Sequence, residues 1–181
     1  SIRRLVCEVS SNSLRGLYKT LYKRVFGKQE NKQYYYDAIV SFLGNLTSRD
    51  AILSDDIFAI ALKEKNLYRK NALCKYLLVA VENQGKEKID TATLSIEHIM
   101  PQNKNLSKSW QNMLGENWKQ IHDKYLHTLG NLTLTGYNSE LGDKPFDVKK
   151  NLLENPENPT HITVLYNDVL DKEEWNENTI N

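Results

Sequence analysis

A carboxylate and an imidazole stand side by side in the run Leu94-Ser95-Ile96-Glu97-His98-Ile99-Met100-Pro101-Gln102. The run alternates apolar and polar residues up to a proline, which is how a β-strand closed by a turn reads. In extended backbone, consecutive side chains take opposite faces, so Glu97 and His98 cannot easily share one bound ion. They suit divided labour instead: the carboxylate holds a cation and the imidazole, whose ordinary pKa lies near neutrality, moves a proton. Pro101 withholds a backbone donor and stops the strand. A second run of the same kind, Leu129-Gly130-Asn131-Leu132-Thr133-Leu134-Thr135-Gly136-Tyr137-Asn138, brackets a strand at 131–135 between two asparagines.

The remaining candidates for chemistry are few. Of the four histidines, His98, His122, His127 and His161, no two have a ligand spacing on one element, so a zinc cluster is not indicated. His122 and His127 fall in the stretch between the two strands and read as surface or structural. The two cysteines, Cys7 and Cys74, sit in helical patterns without metal spacing and read as buried thiols in a reducing cytoplasm. By spacing alone, His98 is open to two readings, a satisfied structural histidine or a working one.

The elements that must position these residues are mostly helical. Apolar residues recur at helical spacing over 13–27, with Ser11 or Ser13 as the cap and Gly27 as a left-handed stop, and again over 32–43. The aromatic run Tyr34-Tyr35-Tyr36 is able to stack on bases but is expected to pack inward. Helices over 55–65, started by Ser54, and 68–83 complete a helical scaffold over 1–88. From 89 to 155 the order is strand (92–98), a helical excursion (107–127, broken at Gly115), strand (131–135) and helix. Asp143 is expected to cap that last helix, with Pro145 in its first turn. Residues 156–181 hold a final helix near 161–171 and an acidic tail. The fold class expected is α+β, predominantly helical.

The 181 residues are 40% hydrophobic and 26% charged, ordinary values for a folded protein able to bury a core. No apolar run approaches the ~20 residues of a membrane helix, and the opening Ser1-Ile2-Arg3-Arg4 shows no signal-peptide pattern. A cytoplasmic fragment of a longer protein is therefore expected. Net charge is +1, but residues 151–181 carry one basic residue against seven acidic ones, which leaves +7 on the rest. A moderately basic body fits an anionic partner such as nucleic acid, though a charge run is as readily a solvated face.

The ordered set Ile96-Glu97-His98-Ile99-Met100-Pro101-Gln102, Leu129-Gly130-Asn131-Leu132-Thr133-Leu134, Asn138 and Phe146-x-x-Lys149 resembles the HNH (His-Me finger) nuclease motif. More closely, it resembles the C-terminal nuclease domain of GmrSD-type, modification-dependent restriction enzymes. The likeness extends to Arg3-Arg4-Leu5-Val6, Asn12-Ser13-Leu14 and Trp175. It implies a helical bundle carrying a ββα-metal core, a restriction (phage defence) role, DNA that is possibly modified as substrate, and an upstream nucleotide-binding domain.

The resemblance also implies roles. His98 matches the general base at an open site, Asn131 the residue that pins the loop carrying it, and Asn138 a metal-side residue on the helix after the second strand. Glu97 matches a neighbouring carboxylate that is aspartate in better-known HNH enzymes, so it is a candidate second metal ligand. One Mg²⁺ or Mn²⁺ ion is implied, weakly bound without DNA because one carboxylate and one amide cannot build a full cage. Lys104, Lys108, Lys144, Lys149 and Lys150 are the candidate phosphate contacts. The alternative is a catalytically inactive finger domain used only to bind nucleic acid or a partner.

Overall fold

A computed structural model describes residues 2–27, 33–84, 88, 90–155 and 164–181 of the chain. His161 and the start of the helix expected near 161–171 lie outside these residues. Contacts divide the chain into two units, Ser1–Ala61 and Leu62–Asn181.

In the first unit, helices α1 (Ile2–Val6), α2 (Asn12–Phe26) and α3 (Tyr35–Gly44) precede the start of α4 (Asp55–Glu64). Leu14, Leu17 and Val25 are the buried stripe of α2. Arg4 is buried too, and its guanidinium donates to the carbonyls of Ser10, Arg49 and Ala51, which removes the cost of an unpaired charge. Two expectations fail here. Gly27 ends α2 in right-handed, not left-handed, backbone (φ −61°). Tyr34, Tyr35 and Tyr36 are 62–69% exposed instead of packed. They occupy the N-cap and first turn of α3, a helix that buries none of its residues.

The second unit is built around two short strands. β1 (Ser95–His98) runs antiparallel to β2 (Leu132–Thr135), with Glu97 opposite Thr133 and His98 opposite Leu132. Between them lie α6 (Lys108–Leu114) and α7 (Trp118–Tyr125), separated at Gly115, whose φ of +81° a side chain would disfavour. Three of the four β1 residues and all of β2 are buried, so this sheet has no wet face. Helices supply the covering. α5 (Asn71–Glu82) packs on β2 and on α10 (Val164–Leu170), and α10 packs on α9 (Phe146–Glu154). Because Leu77 and Leu78 of α5 belong to this core, the division between units falls well before residue 88, where the sequence pattern changes character.

α9 carries Phe146, Lys149 and Leu153 on its buried stripe. Phe146 lies between the rings of Trp110 and Trp175, at centroid distances of 6.0 and 5.5 Å. Asp143 does not cap this helix: Pro145 holds the N-cap place, and the Asp143 carboxylate accepts instead from Asn103 Nδ2 at 2.8 Å. With φ already set by its ring, Pro145 starts the helix two residues too late for Asp143 to reach its first amides. A short helix α8 (Asn138–Leu141) follows β2, and α11 (Glu177–Ile180) ends the chain with an Asn176/Thr179 capping box. Gly130 is where that end closes in, since a Cβ there would stand 1.9 Å from the Ile180 carbonyl oxygen.

Candidate active site

The buried strand end brings its two polar residues to separate partners. Glu97 Oε1 pairs with Lys149 Nζ of α9 at 2.7 Å, and the same ammonium donates to the His98 carbonyl at 2.7 Å. His98 Nε2 meets His127 Nδ1 at 3.1 Å. Carboxylate and imidazole thus part across the strand, as alternation requires. Glu97 is 5% exposed and His98 3%, so the site is closed where an open one was expected. Lys149 of α9 covers Glu97, and the rings of Tyr68 and His127 cover His98.

Asn131 is the structural knot. Its Oδ1 accepts from Met100 N (2.8 Å) and Trp175 Nε1 (3.0 Å), and its Nδ2 donates to the carbonyls of Met100 (3.1 Å) and Leu126 (3.0 Å). Every hydrogen-bonding position of this fully buried amide is used on the segment after His98, the segment before His127, or the brace from Trp175. Asn131→Ala leaves those partners buried and unpaired, which is expected to cost at least about 3 kcal/mol in urea unfolding. A loss below about 1 kcal/mol would show that the knot is not structural.

Asn138 begins α8 and donates its Nδ2 to the Ile96 carbonyl at 3.0 Å, leaving Oδ1 as an oxygen donor. His122 is buried and holds the loop at the Pro101 carbonyl through Nε2, at 2.9 Å. Thr133, opposite Glu97 in the ladder, has a buried hydroxyl without a hydrogen-bond partner among the described residues. Removing that hydroxyl in Thr133→Val is expected to leave the melting temperature unchanged or raised, by up to about 1 kcal/mol of added stability. A clear loss of stability would mean that the hydroxyl has a partner.

Electrostatics follow from burial. Burial pushes the Glu97 carboxyl above its ordinary range, an effect that the Lys149 charge and hydrogen bond only partly offset. Burial likewise holds the Lys149 ammonium below its ordinary value. His98 is lowered to about 3, first by burial and then by the charges of His127, Lys149 and His122. It is therefore a neutral imidazole at working pH, able to accept a proton but reluctant to keep one.

The candidate phosphate contacts separate into two groups. Lys104, Lys108 and Lys144 are exposed. Lys149 is not: it has no exposed surface, so the expected phosphate contact is corrected to an internal ion pair. Lys150 is half-buried and donates to the Lys172 carbonyl at 2.7 Å. The sequence reading passed over His127 and Tyr68. Tyr68 stacks on His127 (5.3 Å, 9°) and meets His98 edge-on (4.5 Å, 76°). One signal pointed to His127, its place four residues before Asn131 on the segment expected to pin the base.

An imidazole fixed at a strand end, with a carboxylate across the strand and an amide at the start of the next helix, is a set suited to hydrolysis of a phosphodiester. The chain belongs to the family of GmrSD restriction endonucleases, C-terminal domain, whose family model matches residues 52–181. That makes this an endonuclease domain with DNA as its substrate. The match begins at Ile52, so Arg3–Val6 and Asn12–Leu14 lie outside it. No curated protein matches the chain. No helix among the described residues is long and apolar enough to cross a membrane.

Proposed function

We propose that this domain is an HNH-type, metal-dependent endonuclease, part of a modification-dependent restriction protein that acts in phage defence. The observation that supports this best is the Asn131 knot, which ties the loop after His98 to the segment carrying His127. Such bracing is what a base needs to meet a water in one orientation. With Nε2 taken by His127, the base is Nδ1 of His98. It accepts a proton from the attacking water as the new P–O bond forms and the bond to the leaving sugar oxygen breaks.

A divalent cation, Mg²⁺ or Mn²⁺, would be held by Asn138 Oδ1 and by the Glu97 oxygen not paired with Lys149. Two oxygen donors leave room for several waters, as a hard cation at a phosphate site prefers. When bound, the ion would stabilise charge on the phosphorane and leaving oxygen. The exposed Lys104, Lys108 and Lys144 contribute affinity through phosphates, independent of base sequence.

Plasmid nicking tests the reading. Cleavage is expected with Mg²⁺ or Mn²⁺ and none in EDTA, and full cleavage in EDTA would overturn it. Asn138→Ala is expected to raise the Mg²⁺ concentration for half-maximal cleavage at least about tenfold, with DNA affinity little changed. A second reading, a finger domain that binds DNA without cutting it, draws on one observation: Lys149 already neutralises Glu97. Salt-dependent binding with no cleavage at any Mg²⁺ concentration would favour that reading.

A further inference from the structure

We propose that His127 is a positioning residue for His98: its Nδ1 accepts the Nε2–H of His98 and so fixes the tautomer in which His98 Nδ1 is the basic nitrogen. The inference rests on the reading of His98 as the general base, and it adds a residue that reading does not contain.

Only one hydrogen fits between His98 Nε2 and His127 Nδ1, 3.1 Å apart. Two neutral arrangements are possible. In the first, His98 donates from Nε2 and His127 keeps its own hydrogen on Nε2, so both rings adopt the tautomer that neutral imidazole side chains intrinsically prefer. In the second, His127 donates from Nδ1, and both rings hold the less favoured form. The second also puts a hydrogen on His98 Nδ1, where no acceptor is found among the described residues. The first arrangement wins on both counts.

His127 is built to hold that position. Its carbonyl accepts from Leu67 N at 3.1 Å and from Tyr68 N at 3.4 Å. Its ring lies parallel to that of Tyr68, 5.3 Å away and within 9°. The same tyrosine meets His98 at 4.5 Å and 76°, so one ring sets the angle of both imidazoles. Asn131 joins the two chain segments, since its Nδ2 donates to the carbonyl of Leu126, next to His127, and to that of Met100, two residues past His98. Backbone, ring and amide all hold His127 Nδ1 against His98 Nε2, and the tautomer preference then makes His127 the acceptor. His98 is almost fully buried, so bulk water cannot orient its ring and the neighbouring imidazole does.

Long-range nitrogen–proton NMR on the labelled chain reads the tautomer, and plasmid cleavage reads the consequence. His98 is expected in the Nε2–H form in the wild type and as a mixture in His127→Ala. Turnover in His127→Ala should fall about 10- to 100-fold with KM for DNA unchanged. His127→Asn sets an amide oxygen where Nδ1 stood and should keep the tautomer and most of the turnover. His127→Gln sets its amide where Nε2 stood and should lose both. A role in packing alone would not separate asparagine from glutamine. Finding His98 in the Nδ1–H form in the wild type, or an unchanged tautomer in His127→Ala, overturns the proposal. So does full turnover in His127→Ala alongside a dead His98→Ala. Cleavage that survives His98→Ala would overturn the reading of His98 as the base instead, and the NMR result would still decide the tautomer.

Discussion

Lys149→Met is expected to destabilise the nuclease unit by about 3 to 5 kcal/mol, enough to consume most of the stability of an ordinary domain. The ammonium it removes is fully buried and is the counter-charge of a Glu97 carboxylate that is itself 5% exposed. Without it, Glu97 must either stay charged in an apolar surrounding or take up a proton, and both cost free energy. The double variant Glu97→Leu/Lys149→Met is expected to recover most of the loss or to exceed the wild type. What it cannot recover is the hydrogen bond to the His98 carbonyl, about 1 kcal/mol. The directions of the two pKa shifts support this, since burial opposes charge on both partners more strongly than their pairing favours it. The pair is therefore better explained by what it positions, the Glu97 carboxylate and the His98 carbonyl at the strand end, than by what it stabilises. Urea unfolding of the two single variants and the double variant checks the point. An unchanged midpoint in Lys149→Met would show that the ion pair is not buried as described.

His98→Ala is expected to lower cleavage by about 10²- to 10⁴-fold, the usual contribution of a positioned general base, while DNA affinity stays close to the wild type. Stability does not escape unchanged. His98 packs edge-on against Tyr68 and His127 at 4.5 and 5.2 Å, so truncation opens a void costing about 1 to 3 kcal/mol. His98→Gln fills more of that space and gives the cleaner kinetic test. Acid sensitivity provides a second readout. A histidine whose folded pKa is lowered from 6.5 to about 3 binds fewer protons folded than unfolded between those values. Its contribution to stability is present above 6.5 and is lost as pH falls towards 3, by about 1.4 kcal/mol for each unit. His98→Gln should flatten that part of the stability-against-pH curve. If the curve is unmoved, the imidazole is not buried neutral.

Local pattern was enough for much of this protein. Period-two alternation set β1 and β2, and helical spacing set α2, α4, α5 and α9 to within a few residues, because these signals are local. The resemblance carried by Glu97-His98, Asn131 and Asn138 pointed to a nuclease, and the family match over residues 52–181 agrees. Residue spacing also separated Glu97 from His98, since neighbours in a strand must face apart.

What the spacing left open was burial and partnership. Lys149 reads in sequence as one more basic residue on a helix, and only the packing of α9 against the strand end turns it inward to Glu97. Tyr34, Tyr35 and Tyr36 read as core, yet all three are exposed. His127 and Tyr68 lie 29 and 30 residues from His98 along the chain, on either side of it, so no window could join them. They meet because Leu67 and Tyr68 bond to the His127 carbonyl and Asn131 ties that segment to the strand end. Which side chains exist and which face they take are properties of the local chain, but which charge is neutralised and which ring orients another depend on long-range packing.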